Sequence, residues 1–142
     1  MLKSLFRIFL SFSVWLYRRT DGKFGGKIQG LPVLLLTTTG RKTGKKRTTP
    51  LGYFEYDGSY VISATYAGLD VHPAWFHNLK SNPMVVLQIQ GRRLAALAEP
   101  ADPTRRKQLW DTLVKLSPSY GAYEKRTTRE IPMVLLRPVS DV

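Results

Sequence analysis

The chain contains no cysteine, which excludes a disulfide framework and any thiolate metal site. It has two histidines, His72 and His77, with no glutamate between them, so a metal centre has no ligand set. No serine–histidine–aspartate or paired-carboxylate constellation is visible, and a hydrolase therefore has little support. The most apolar run, Ile8 to Tyr17 (IFLSFSVWLY), is far shorter than the roughly 20 residues that span a bilayer. No small-residue cleavage site follows it, so it does not read as a signal peptide. Repeats, low-complexity tracts and long linkers are missing too. Acid is scarce: 10 carboxylates face 22 lysines and arginines, a formal charge of +12.

That imbalance favours anionic partners, whether nucleic acid, an acidic membrane surface or a polyanionic small molecule. The basic residues are not interleaved with a series of stacking aromatics, which weakens the nucleic-acid reading. A length of 142 residues with 43% hydrophobic content suits one globular domain with a single sizeable core. We divide the chain into an N-terminal helical segment, residues 1–21, and a domain over residues 22–142. The Ile8–Tyr17 run is flanked by Lys3, Arg7, Arg18 and Arg19. Two readings of it stand side by side: a helix docked on the domain, and an interfacial helix with its cations on lipid headgroups.

The Gly-rich patch Asp21–Gly26 separates that helix from a series of strands. Val33–Thr39 reads as a buried strand, Arg47–Tyr56 as a second and Tyr60–Thr65 as a third, the last two joined at the hairpin signal Asp57-Gly58. After a loop, Tyr66–His72, Pro73 opens a short helix, Ala74–Ser81. Met84–Gln90 and Arg93–Ala98 pair as another hairpin. A helix follows from Pro103 to about Leu116, then a helical or irregular piece, Ser117–Thr128, and a final strand, Ile131–Pro138. Strands joined mostly by hairpins predict an α+β protein, mainly β: an antiparallel barrel with helices packed outside it.

The most informative stretch is Thr37–Pro50, TTTGRKTGKKRTTP, with five cations and no carboxylate. A loop of this composition offers backbone N–H groups, hydroxyls and cationic heads to one small volume, as an anion site requires. It is not a P-loop. Its glycine spacing is one residue short, Lys46 stands where a magnesium-binding hydroxyl belongs, and a strand follows where a helix is needed. Trp75 reads either as core or as the wall for a flat ring. Tyr120 and Tyr123 read either as packing residues or as a pair of O–H donors on one helical face.

Three separated segments carry a resemblance to a known family: Leu34–Leu51, His72–Pro83 (HPAWFHNLKSNP) and Arg126–Pro132 (RTTREIP). Together they resemble the deazaflavin-dependent nitroreductases, from about Gly22 to Pro138. The resemblance implies a split β-barrel of the flavin-reductase-like (FMN-binding) type. It implies coenzyme F-420 as cofactor, an 8-hydroxy-5-deazaflavin with a phosphodiester and an oligoglutamate tail. By the same resemblance Arg41, Lys42, Thr43 and Arg47 hold the phosphate and tail, with Lys45 and Lys46 as looser contacts. Pro50, Leu51, Ala64, Thr65 and Tyr66 line the ring, and Trp75 and Asn78 close the site. One departure stands out. Tyr66 and Ala67 occupy positions where family members often carry a lysine and a glycine.

The expected activity is hydride transfer from the reduced deazaflavin to an electron-poor acceptor, a quinone or other conjugated carbonyl, with nitro compounds adventitious. Tyr120, Tyr123 and Thr65 are the expected proton donors. The competing classes are an FMN-binding reductase on the same barrel and a carrier that binds cofactor without catalysis. The expected location is the cytoplasm, with peripheral contact at the inner face of the cell membrane if the N-terminal helix meets lipid.

Overall fold

The computed structural model describes residues 2–22 and 27–142; residues 23–26 of the expected Gly-rich patch lie outside it. The chain runs α1 (Leu2–Thr20), β1 (Lys27–Ile28), β2 (Leu31–Thr39), β3 (Lys46–Gly52), β4 (Phe54–Tyr56), β5 (Ser59–Ser63), α2 (Ala74–Ser81), β6 (Met84–Ile89), β7 (Arg92–Pro100), α3 (Pro103–Leu116), α4 (Tyr120–Glu124) and β8 (Met133–Asp141). All strand pairs are antiparallel. The order is β1-β2-β6-β7-β8-β5-β4, with β3 also paired to β2. The sheet curls into a half-barrel with helices packed around it, the split-barrel arrangement expected.

Side-chain alternation builds two layers. Leu34, Leu36, Ile62, Leu87, Leu94, Val134 and Leu136 point into the barrel, where Trp75, Phe76 and Leu79 of α2 join them. Val61, Met133 and Leu135 point outward against Leu109, Trp110 and Leu113 of α3 and Tyr120 of α4. The α3 helix begins where its sequence says it should: Pro103 occupies the first turn, and Asp102 Oδ1 accepts from the Arg105 N–H at 2.9 Å.

β2 is apolar on both faces, so its outer residues need their own cover. Val33 and Leu35 receive it from Val14 and Tyr17 of α1. Tyr17 is 1% exposed; its hydroxyl donates to the Val33 carbonyl at 2.8 Å and accepts from the Gln90 N–H at 2.7 Å. Docking of the N-terminal helix is therefore settled by a packed, hydrogen-bonded contact. The opposite face of α1 is left uncovered, with Ile8, Phe9, Phe12 and Trp15 each more than half exposed.

One expectation needs correction. The strand predicted over Arg47–Tyr56 is two strands, because β3 pairs with β2 whereas β4 pairs with β5. The chain changes partners at Tyr53, whose N–H donates to the Pro32 carbonyl at 2.9 Å. Gly52 precedes the crossing, and a Cβ there would lie 3.3 Å from the Tyr120 hydroxyl. The two-residue strand β1 escaped notice because Lys27 and Ile28 are exposed and carry no periodic signal. Of Ser117–Thr128, Tyr120–Glu124 alone is α-helical.

Replacing Tyr17 with phenylalanine keeps the ring and strands the Gln90 N–H and the Val33 carbonyl. We expect a loss of about 1–3 kcal/mol of unfolding free energy, measured by urea titration.

Candidate cofactor site

The basic loop is a closed turn between paired strands, since β2 and β3 remain in register from Val33↔Gly52 to Thr39↔Lys46. Gly40 N–H donates to the Lys45 carbonyl and Gly44 N–H to the Gly40 carbonyl, both at 2.8 Å. Gly44 has φ +71°, and a Cβ on Gly40 would lie 2.8 Å from Thr43 Oγ1. The glycines let the loop fold tightly. Thr43 Oγ1 accepts from the Lys45 N–H at 3.2 Å, and Lys46 Nζ donates to Thr39 Oγ1 at 2.7 Å. Asn78 of α2, 7% exposed, fastens the loop from below. Its Oδ1 accepts from the Arg41 N–H at 3.1 Å and its Nδ2 donates to Thr38 Oγ1 at 3.2 Å.

A groove of about 1430 Å³ opens between this loop, β3, α1 and the start of α2. Six cations line it: Arg18 and Arg19 from α1, and Arg41, Lys42, Lys46 and Arg47 from the loop and β3. Among the described residues the ion pairs are Arg92–Asp141, Arg106–Glu124 and Lys107–Asp111, so no carboxylate neutralises the groove. Such a one-signed concentration of charge in a cleft is an attractor for a polyanion. Beside the charges lies an apolar surface of Trp15, Pro50, Leu51 and Trp75. Arg18 Nη2 donates to Thr48 Oγ1 at 3.4 Å, which ties α1 to β3 along this wall.

Of the residues singled out from sequence, Arg41, Lys42, Thr43, Lys46, Arg47, Pro50, Leu51, Tyr66, Trp75 and Asn78 line the groove. Lys45, Ala64 and Thr65 do not. Lys45 is exposed beyond the rim. Ala64 is buried in the barrel with its N–H on the Pro132 carbonyl. Thr65 is 6% exposed, and its hydroxyl is hydrogen-bonded to that of Ser63, which does line the groove. Tyr66 stands at φ +47° in a 3-10 turn, Tyr66–Gly68. A left-handed conformation costs a residue with a Cβ about 1–2 kcal/mol, so the surroundings must hold it.

Tyr120 and Tyr123 are not brought to the groove. The short helix that carries them packs its apolar side on α3 and on the outer face of the sheet, so Tyr120 is buried there and Tyr123 sits at its edge. The two rings meet edge to face at 5.7 Å. The Tyr123 hydroxyl accepts from Gln29 Nε2 at 2.7 Å. Burial raises the Tyr120 pKa above its ordinary value, with Tyr123 adding to the effect. Both are poor candidates for a phenol that delivers a proton at this groove. What sequence reasoning missed was the α1 wall, Ser11, Val14, Trp15, Arg18 and Arg19. A signal existed: Val14 and Tyr17 define one helical face, and Trp15, Arg18 and Arg19 lie beside it.

The sequence profile of the family described as F420H(2)-dependent quinone reductase matches residues 10–138. An F420H(2)-dependent quinone reductase of Mycobacterium tuberculosis is 39% identical over 125 residues, 85% of this chain and 84% of its own length. A solved structure named as an F420-H2 dependent reductase (FDR-A) superimposes with a TM-score of 0.68 at 36% identity, over 75% of this chain and 94% of that one. Another, described as a domain-swapped dimer, gives 0.70 at 30% identity, over 96% of this chain and 100% of that one. The matched family is named for quinones rather than for nitro compounds. With its profile spanning most of the sequence and a relative this similar across the same stretch, the chain belongs to the F420H(2)-dependent quinone reductase family.

Proposed function

We propose that this protein is an oxidoreductase that uses reduced coenzyme F-420 to reduce a quinone, with the cationic groove as the coenzyme site. The observation that carries this reading is six cations, none ion-paired among the described residues, next to an apolar surface in one groove. The donor set suits a ligand with a polyanionic end and a planar end. When bound, the reduced deazaflavin supplies the hydride at C5. Everything else falls to the chain's own residues.

Arg41, Lys42 and Arg47 would take the phosphodiester and the glutamate tail, with Arg18, Arg19 and Lys46 adding to the same field. A charge-assisted hydrogen bond contributes about 1.5–3 kcal/mol. Three give roughly 5–9 kcal/mol, close to the roughly 8 kcal/mol of micromolar affinity. Pro50, Leu51 and Trp75 would hold the ring and keep water from one of its faces. A quinone that receives a hydride needs one further proton. The Ser63–Thr65 hydroxyl pair and the Tyr66 hydroxyl are among the groups at the groove that could hand it over. Tyr120 and Tyr123 would act on the site through α4, which packs against the turn bearing Tyr66.

The uncovered side of α1 bears on the acceptor. No helix among the described residues is long and apolar enough to cross a membrane. Ile8, Phe9 and Phe12 nevertheless form an exposed apolar stripe that ends at Trp15 on the groove. We read α1 as lying on an anionic lipid surface at the inner face of the cell membrane, with the groove presented to a quinone dissolved there.

Equilibrium titration with F-420 and with FMN tests the central reading. Micromolar or tighter deazaflavin binding is expected, weakened about 10- to 150-fold by each of Arg41→Ala, Lys42→Ala and Arg47→Ala. Tight FMN binding with no deazaflavin binding would overturn it, and binding without turnover would mark a carrier. Asn78→Ala frees the loop from α2. It should cost about 1–2 kcal/mol of stability by thermal denaturation and weaken the coenzyme as well. For the membrane contact, an Ile8→Ser/Phe12→Ser variant should float less with anionic vesicles. The same variant should reduce a vesicle-borne long-chain quinone more slowly while its rate with a water-soluble quinone holds; unchanged flotation would sink the idea.

A further inference from the structure

The segment Arg126–Pro132 lies outside the groove but reaches its wall through one side chain. Arg129 commits all three guanidinium nitrogens to the stretch between β5 and α2. Its Nε donates to the Leu69 carbonyl at 2.7 Å, its Nη2 to the Thr65 carbonyl at 2.8 Å, and its Nη1 meets His72 Nδ1 at 3.0 Å. Thr127 steadies the arrangement: its hydroxyl donates to Asp70 Oδ1 at 2.8 Å and accepts from the Arg129 N–H at 3.2 Å. The clamped stretch borders the groove, with Ser63 before it, Tyr66 within it and Pro73, Ala74 and Trp75 after it. Tyr66 is the residue held at φ +47°. The carbonyls that Arg129 grips, those of Thr65 and Leu69, bracket that strained residue.

We propose that Arg129 is a positioning residue for the cofactor site, and that its grip on the Tyr66 turn requires a neutral His72. The inference rests on the groove being the coenzyme site. A guanidinium has donors and no acceptor, so His72 Nδ1 has to face it with a lone pair. A proton on that nitrogen replaces the acceptor by a second cation and drives the pair apart. The charged groups around His72 reinforce this. His77 lies 5.8 Å away ring to ring on α2, Lys80 follows on the same helix, and Asp70 is the acid beside Arg129. Burial, then Arg129, His77 and Lys80, lower the His72 pKa from the usual 6.5. The sign follows: the folded protein favours neutral His72, so the clamp is complete above the ordinary histidine range. It is lost as pH falls through the lowered value. The wall carrying Tyr66 then loosens, and coenzyme binding weakens.

The test compares the whole protein with Arg129→Lys and His72→Gln from about pH 8 to about pH 5. Two quantities are read: affinity for F-420, and amide hydrogen exchange over residues 65–72 without coenzyme, corrected for intrinsic pH dependence. The wild type should lose about tenfold in affinity towards the acid end, with faster exchange confined to this stretch. Lysine cannot reach three acceptors at once, so Arg129→Lys should show weak binding and fast exchange throughout. Glutamine offers an amide oxygen at every pH. His72→Gln should therefore keep the neutral-pH affinity and shed the acid loss, which separates the clamp from titration of the ligand itself. Wild-type exchange and affinity in Arg129→Lys, or an undiminished acid loss in His72→Gln, would overturn the proposal. A wild type that binds no F-420 would reject the cofactor reading instead, and the exchange data would still judge the clamp.

Discussion

β2 is apolar on both faces, and much of the molecule follows from covering it. In an antiparallel sheet one face can meet water, so alternation is the rule and a continuous run such as Val33–Leu36 calls for a second cover. Leu34 and Leu36 fill the barrel; Val33 and Leu35 need α1. The cover is fixed in rotation by the Tyr17 hydroxyl, bonded to β2 and to the turn after β6. Fixing that rotation decides what the helix's remaining side chains do. Arg18, Arg19 and Trp15 fall on the groove, and Ile8, Phe9 and Phe12 are left facing outward. The N-terminal segment is thereby a wall of the site as well as an appendage.

The groove divides its labour by element. The β2–β3 hairpin concentrates cations whose mutual repulsion costs stability and makes the groove an attractor for anions. Asn78 ties that hairpin to α2, whose Trp75 faces the same space, so the charged and apolar walls keep a fixed spacing. The third wall is of another kind. The Tyr66 turn has a strained backbone and depends on a side chain delivered from the approach to β8. Two walls are built into the sheet and its helix, and the third is held by hydrogen bonds.

Sequence reasoning recovered most of what periodicity and turn chemistry encode. The α2 helix has the bounds expected, the Asp57-Gly58 turn joins β4 to β5, and α3 starts at Pro103. The cationic hairpin was legible because charge of one sign within a few residues survives any fold. Ten of the thirteen positions expected to contact cofactor line the groove, and Lys45, Ala64 and Thr65 do not. Those three miss because a strand end alternates faces and a loop has an inside and an outside, and local pattern does not fix the phase of either. Tyr120 and Tyr123 lie away from the groove for a similar reason. Two phenols on one face of a short helix look the same whether that face meets a cleft or α3.

The sequence alone determined the class of fold, the sign of the groove's charge and the place in the chain where its cations gather, all properties of neighbours a few residues apart. Tertiary structure decided which elements share that groove. Arg18 and Arg47 are separated by most of two elements, and Arg129 acts on a turn some sixty residues before it. Such meetings depend on how the sheet curls and on which face each helix buries. Local pattern carries no long-range register, and the resemblance that singled out Arg126–Pro132 did not say which stretch it meets.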